Sequence, residues 1–214
     1  MRLAGEGKKP DRTKDKDFDR IAKDVFAPIY PVIAGQIVHR CGITAGTCID
    51  LGSGPGHLAI ALARITGLKA YALDASETMR GIAEENVRAA GLSGRVTPVT
   101  GDVHRIPFGD GFADLIVSRG SFFFWGDLAA AFREIYRVLK PGGKAYVGGG
   151  FGNAALRAQI AEKMRAKDPD WEKGVAKRWQ LCNAGSFRRI LGDAGIGDYE
   201  IIDDETGFWI VIEK

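Results

Sequence analysis

Asp50-Leu51-Gly52-Ser53-Gly54-Pro55-Gly56 is the stretch that decides the fold. It directly follows Thr47–Leu51, a short apolar run that reads as a buried strand, and it opens a helical segment. Gly52 permits a sharp exit from the strand, and Gly54 lets backbone N–H groups approach a ligand closely. A helix starting near Gly56 or His57 presents orphan donors and a positive dipole end to a carboxylate or phosphate. A GxGxG loop alone also opens dehydrogenase folds. Two details narrow it: His57 stands where a dinucleotide fingerprint wants its third glycine, and the acid Asp50 precedes the loop. The second strand then ends in Asp74, 24 residues after Asp50, placed to bind two ribose hydroxyls.

Outward from this loop, short apolar runs alternate with helical patterns. Leu68–Leu73, Arg95–Val99, Ala113–Ser118 and Lys144–Gly148 read as further buried strands. Ser76 is a good N-cap for Met79, Ile82, Ala83, Val87 and Ala90 at helical spacing. Asp127 likewise precedes Leu128, Ala131, Phe132, Ile135, Val138 and Leu139, and Pro141-Gly142-Gly143 is expected to stop that helix. Tyr199–Asp203 and Phe208–Ile212 read as a terminal hairpin with a four-residue turn. The predicted class is α/β: a Rossmann-like, doubly wound, mostly parallel seven-stranded sheet with a C-terminal antiparallel hairpin. Residues 18–41 should form one or two helices broken at Pro28 and Pro31, and Asp168–Gly185 is the least patterned stretch.

Composition bounds the rest. The 214 residues, 45% hydrophobic and 27% charged, suit one globular domain with a full core. Thirty Lys and Arg against 27 Asp and Glu give +3, too balanced to argue for nucleic acid or a membrane surface. Residues 1–17 are charged and nearly free of apolar side chains, so they read as a solvated tail before a single domain over 18–214. Cys41, Cys48 and Cys182 have neither disulfide nor metal-ligand spacing, and read as reduced thiols of a cytosolic protein. No N-terminal apolar run or 18-residue apolar span suggests a signal peptide or membrane helix. The 29 glycines are far more than usual, and must serve turns or close approach to a ligand.

Taken together, DLGSGPG (50–56), LDASETM (73–79), GDVHRIPF (101–108), ADLIVSRGS (113–121) and LKPGGK (139–144) resemble the class I S-adenosylmethionine-dependent methyltransferases, in particular the small-molecule, ubiquinone/menaquinone-type branch. The resemblance implies S-adenosyl-L-methionine as cofactor, with S-adenosyl-L-homocysteine as product. It implies that Gly52, Ser53, Gly54 and Gly56 hold the methionine part, with Asp50 near the ammonium group. Asp74 would hold the ribose diol, Ala75 and Met79 would line the adenine, Asp102 would accept from its amino group, and Val103 would supply a backbone contact. Tyr30 resembles an aromatic of an N-terminal lid formed by residues 18–41, and Ser118 and Arg119 would face the transferable methyl. Asp102 as a plain turn residue and Tyr30 as a plain core residue are the alternatives.

In open α/β sheets the ligand lies beyond the carboxyl ends of the strands, so the acceptor should border Ser118–Trp125. The Asn/Asp-Pro-Pro-aromatic motif of nucleic-acid amino methyltransferases is absent there, which favours a small molecule. Arg119 can fork a carboxylate or phosphate on an anionic acceptor, or else pairs with a structural carboxylate. Trp125 is the expected pocket wall, and the glycines of Gly148-Gly149-Gly150-Phe151-Gly152 suggest a loop near the substrate. No histidine commends itself as a general base. A dehydrogenase using a nicotinamide cofactor shares the loop and ribose acid but leaves the PGGK motif and the hairpin unexplained. A cofactor-binding module without turnover is the third reading.

Overall fold

The computed structural model describes residues 12–214, and the side chains from residue 17 onward. Most of the expected charged tail lies outside the described residues. Helix α1, Arg12–Ile21, begins ahead of the boundary expected at residue 18 and continues through a π-helical turn, Ala22–Phe26. Helix α2, Ile29–Cys41, follows Pro28 and ends on Gly42 in the left-handed conformation. Pro31 does not interrupt it, because a proline in the first helical turn lacks only an N–H that would be unsatisfied anyway.

Seven strands follow: β1 Thr47–Leu51, β2 Lys69–Asp74, β3 Val96–Thr100, β4 Ala113–Arg119, β5 Leu139–Gly150, β6 Tyr199–Asp204 and β7 Gly207–Glu213. They form one sheet in the order β3-β2-β1-β4-β5-β7-β6. All neighbours are parallel from β3 to β5, whereas β7 runs antiparallel to both β5 and β6. The strand order reverses between β1 and β4, so the glycine loop after β1 sits at the switch point.

Period-2 alternation assigns each strand residue to a face. Cys48, Leu115, Val117, Tyr146 and Trp209 pack with α2, α3 (His57–Ile65), α4 (Glu77–Ala89) and α6 (Ala154–Arg165). Ile49, Leu51, Ile116, Val147 and Phe208 pack instead with α5 (Leu128–Val138) and α8 (Ala184–Asp193). The caps expected at Ser76 and Asp127 are made, Ser76 Oγ accepting from Met79 N at 3.3 Å and Asp127 Oδ1 from Ala130 N at 2.9 Å, and Asn153 Oδ1 caps α6 in the same way, accepting from Leu156 N at 2.8 Å. No single helix among the described residues is long and apolar enough to cross a membrane; only Asp17–Phe26 and Ile29–Cys41 reach that length and composition together, bent by 74°. The apolar side of α2 is spent on the core through Ile29, Ile33 and Ile37.

Three local expectations are corrected. Pro141-Gly142-Gly143 does not follow a helix end directly, because the strand has already begun at Leu139. These residues bulge from β5, whose pairing jumps from Ala113↔Leu139 to Leu115↔Lys144. Gly148–Gly150 lie inside β5 and form no loop. A Cβ on Gly148 would overlap the Phe208 carbonyl, and one on Gly150 the Thr206 carbonyl and, at 2.9 Å, the Trp209 ring. Those two glycines therefore admit the buried Trp209 indole between paired strands. Finally, the unpatterned stretch contains α7, Trp171–Trp179.

Candidate active site

The loop after β1 is shaped by three glycines in the left-handed region, with φ of 63° at Gly52, 52° at Gly54 and 81° at Gly56. It folds back on the sheet. Ser53 N donates to Leu73 O at 3.0 Å, Gly54 N to Asp74 Oδ2 at 2.8 Å and Gly56 N to Ser53 O at 3.0 Å. Its amides thus fasten the loop to the end of β2, and are not the free donors expected of them. A side chain at Gly52 would collide with Ser121, whose Oγ donates to Leu51 O at 3.0 Å. Ser118 Oγ lies 2.6 Å from that same hydroxyl. Ser118 is buried and stitches β4 to the loop, so its side chain is committed to the scaffold.

Asp50 is 2% exposed and sits under the loop, with Oδ2 accepting from Ala59 N at 3.2 Å. The expected anion-binding end of α3 therefore already holds a carboxyl group from its own chain. Burial pushes the Asp50 carboxyl up to about 8, opposed by that hydrogen bond. Asp74 is partly exposed at the tip of β2; besides Gly54 N, its Oδ1 accepts from Ser76 N at 2.9 Å. A carboxylate has about four lone-pair positions, so each oxygen keeps one for a ligand hydroxyl. Ser53 Oγ, at the crown of the loop, is buried with no hydrogen-bond partner. The orphaned hydroxyl and the spare Asp74 lone pairs suit a polar ligand such as the methionine and ribose of a nucleoside cofactor.

Beyond β3, Asp102 is exposed and Oδ1 accepts from His104 N at 2.9 Å, with His104 Nδ1 at 2.7 Å. These contacts hold its carboxyl below the usual range, the backbone N–H chief among them. Its Oδ2 makes no hydrogen bond to a described residue, so the turn and ligand readings use different oxygens of one group. Val103 is buried beside Ile106 in the core, Ala75 is exposed, and Met79 is partly buried in the first turn of α4.

The N-terminal helices cover the loop and the end of β4. Phe18 Cε1 lies 3.5 Å from where a Gly54 Cβ would be. Asp19 holds this segment down: its Oδ1 accepts from Asn86 Nδ2 at 3.0 Å and meets His57 Nε2 at 3.2 Å, while Oδ2 meets Lys23 Nζ at 2.7 Å. Asn86 also donates to Pro55 O at 3.0 Å. Burial lowers the His57 pKa, and Asp19 opposes that. Tyr30 lies 5.2 Å from the His57 ring, and burial raises its pKa against the pull of Arg119. The sequence reading passed over Asp19 and Asn86. A legible signal existed, since Asn86 falls on the face of α4 that buries Ala83 and Val87.

Arg119 follows Leu115 and Val117 on the face of β4 turned toward α2, and is partly buried. Its guanidinium carbon is 5.4 Å from the Phe26 ring centre and 5.8 Å from both Tyr30 and Phe151. Its Nε donates to Gly150 O at 3.2 Å. Among the described residues no carboxylate lies within ion-pair distance of it, so the structural pairing is not found. Trp125 packs on Phe132, with ring centres 6.3 Å apart; the aromatic facing the other way is Phe123, 6.1 Å from Trp179. Cys41 and Cys182 lie on opposite faces of the sheet, and burial pushes their thiols up to about 11 and about 12. Among the described residues no group of His, Cys, Asp or Glu gathers as a metal site.

A switch-point loop of left-handed glycines, an acid closing β2 and an antiparallel β6–β7 edge define a Rossmann-like methyltransferase fold. Comparison with known proteins agrees. Residues 49–147 match the Methyltransferase domain family. An uncharacterized methyltransferase of Bacillus subtilis, YdaC, is 32% identical over 129 residues, 59% of this chain and 69% of that protein. The ubiquinone/menaquinone biosynthesis C-methyltransferase UbiE of Vibrio vulnificus is 33% identical over 101 residues, 46% of this chain and 39% of its own length. A crystal structure from Methanococcus maripaludis, described as that of an S-adenosyl-L-methionine-dependent methyltransferase candidate, superposes with a TM-score of 0.92 at 53% identity, covering 99% of this chain and 97% of that one. The chain belongs to the S-adenosyl-L-methionine-dependent methyltransferases, and S-adenosyl-L-methionine is its cofactor.

Proposed function

We propose that the chain transfers the methyl group to a small-molecule acceptor bound at the carboxyl ends of β4 and β5, beneath the N-terminal helices. One observation carries this reading: Phe18, Phe26 and Tyr30 lie directly over the glycine loop and the end of β4. A covered space of this kind suits one small molecule and disfavours a nucleic-acid strand.

When bound, the cofactor supplies a methyl group on a sulfonium whose positive charge disappears on in-line transfer. Asp74 and Ser53 would hold its ribose and methionine parts, with Asp102 and Met79 on the adenine side. Asp50, beneath the loop, is the acid nearest the end of α3 and the group to meet an ammonium. Tyr30 spans from His57 at the loop to Arg119 at the acceptor side, and so couples the two halves of the site. These residues act by orienting the acceptor and excluding water. A dedicated base is required only where the nucleophile must first lose a proton.

The test supplies methyl-labelled S-adenosyl-L-methionine with the small-molecule and macromolecular fractions of a microbial extract. Label should appear in the small-molecule fraction; label confined to RNA, DNA or protein would overturn the reading.

A further inference from the structure

We infer that the acceptor is an apolar, flat acid whose carboxylate or phosphate head is held by Arg119 and whose body lies along Phe151 toward Trp171 and Trp179. The inference deepens the proposed function and rests on it.

The first argument is the state of Arg119. A guanidinium has five N–H donors: Nε donates to Gly150 O at 3.2 Å, the Tyr30 hydroxyl is a second hydrogen-bond partner, and no carboxylate among the described residues takes the rest. Three aromatic rings have displaced much of its water, and burial lowers its pKa. Cation–π contacts at these distances return only part of that cost. The Nη donors that Tyr30 leaves over lie in one plane and suit a carboxylate or phosphate. Nearby, Gln36 donates through Nε2 to Gly152 O at 2.6 Å, and its Oε1 is buried with no partner. A hydroxyl or N–H on the acceptor would satisfy it.

The second argument is independent and concerns shape. An open pocket of about 600 Å³ lies between α6 and α7, with Trp171, Val175, Ala176 and Trp179 on its walls and the polar Arg157, Glu172 and Gln180 among its lining, within the size range of small-ligand sites. The buried Phe151 ring stands between Arg119 and the pocket wall: its centre is 5.8 Å from the guanidinium and 5.9 Å from the Trp171 ring. On the other side Trp179 lies 3.4 Å from where a Gly149 Cβ would be, so the bare backbone of β5 floors the approach. Both tryptophans of α7 are half-buried, Trp171 packed against the core beside Phe151, so each keeps part of its ring surface for a ligand.

The experiment uses the full chain saturated with S-adenosyl-L-homocysteine. Benzoate and phenyl phosphate serve as probes, and benzamide as the neutral match to benzoate. Binding is read by thermal shift and by tryptophan fluorescence up to tens of millimolar. At least one anion should stabilise the protein more than benzamide does, and the responding head group identifies the acceptor's. Arg119→Gln should weaken that anion on the order of tenfold or more, the usual scale for a charge-assisted contact, while Arg119→Lys keeps part of it. Retained S-adenosyl-L-homocysteine binding shows that each variant is folded. Equal responses to the anions and to benzamide, or an anion response unchanged in Arg119→Gln, would overturn the inference alone. Failure of the wild type to bind S-adenosyl-L-homocysteine would instead overturn the cofactor site on which the proposed function rests.

Discussion

Asp50→Asn should change how stability depends on pH, in a window where little else titrates. The Asp50 carboxyl stands at about 8 in the folded protein, raised by burial from 3.8. A carboxyl raised on folding stabilises most below its unfolded pKa, and that contribution is lost as pH rises through the folded value. Between 3.8 and about 8 the folded chain holds a proton that the unfolded chain has released, so stability falls by about 1.4 kcal/mol per pH unit. His57 has the opposite sign. Its pKa is lowered from 6.5, so its contribution grows as pH rises through the unfolded value and levels off about a pH unit above it. The lowered carboxylates Glu77, Asp102, Asp114 and Glu134 are fully ionised in both states well below that point. From pH 6.5 to 8 the difference between wild type and Asp50→Asn therefore isolates the Asp50 slope, because His57 and the thiols of Cys41 and Cys182 titrate alike in both proteins. Half-titration at the upper end trims it to between about 1 and 2 kcal/mol over the window. With a urea m-value of about 2–3 kcal/mol per molar, the midpoint should fall by roughly half a molar. The assay is urea unfolding without cofactor, wild type against Asp50→Asn, at several pH values across the window. Across the window the wild type should lose stability relative to the asparagine variant. Parallel curves would refute the reasoning, since they would mean that Asp50 is already ionised beneath the loop.

Other outcomes follow from the same geometry. Asp74→Ala removes the acceptor of both Gly54 N and Ser76 N as well as the lone pairs facing the site. It should weaken S-adenosyl-L-homocysteine by about tenfold or more in isothermal titration, against a smaller loss for Asp102→Ala, whose oxygen also serves an exposed turn. Gly150→Ala should cost about 1–3 kcal/mol by overpacking against Trp209, while Gly149→Ala, whose Cβ would meet only ordinary contacts at 3.4 Å, should leave the urea midpoint nearly unchanged. Asn86→Leu should loosen the N-terminal helices by removing one partner of Asp19 and the bond to Pro55 O, read as faster proteolysis or amide exchange of residues 17–30 with the sheet still protected.

The fold was legible because each of its deciding signals is local. A buried strand followed by glycines that need a positive φ, a Ser or Asp cap before an apolar period, and two short apolar runs around a four-residue turn are all properties of a few neighbouring residues. Helix α7 escaped for the converse reason. It buries no residue, so no apolar period marks it, and its tryptophans meet partners that are distant in the chain. Position in the fold was legible: Asp74 closes β2 and the glycines follow β1, where the spacing put them. Their hydrogen bonds were not, because Gly54 N and Asp74 meet only after β1 and β2 pair.

Glycine makes the same point within one residue type. At 52, 54 and 56 the backbone takes a conformation that a side chain would strain, and the loop it builds borders the cofactor site. At 148 and 150 the φ values are ordinary, and what is forbidden is volume, because Trp209 and the β7 carbonyls occupy the space a Cβ would need. Sequence shows both clusters as the same letter. The second cluster lets Trp209 sink into the core beside β5, whose Gly150 carbonyl accepts from Arg119 Nε. The two glycine clusters thus act differently, one by permitting a turn and the other by vacating space.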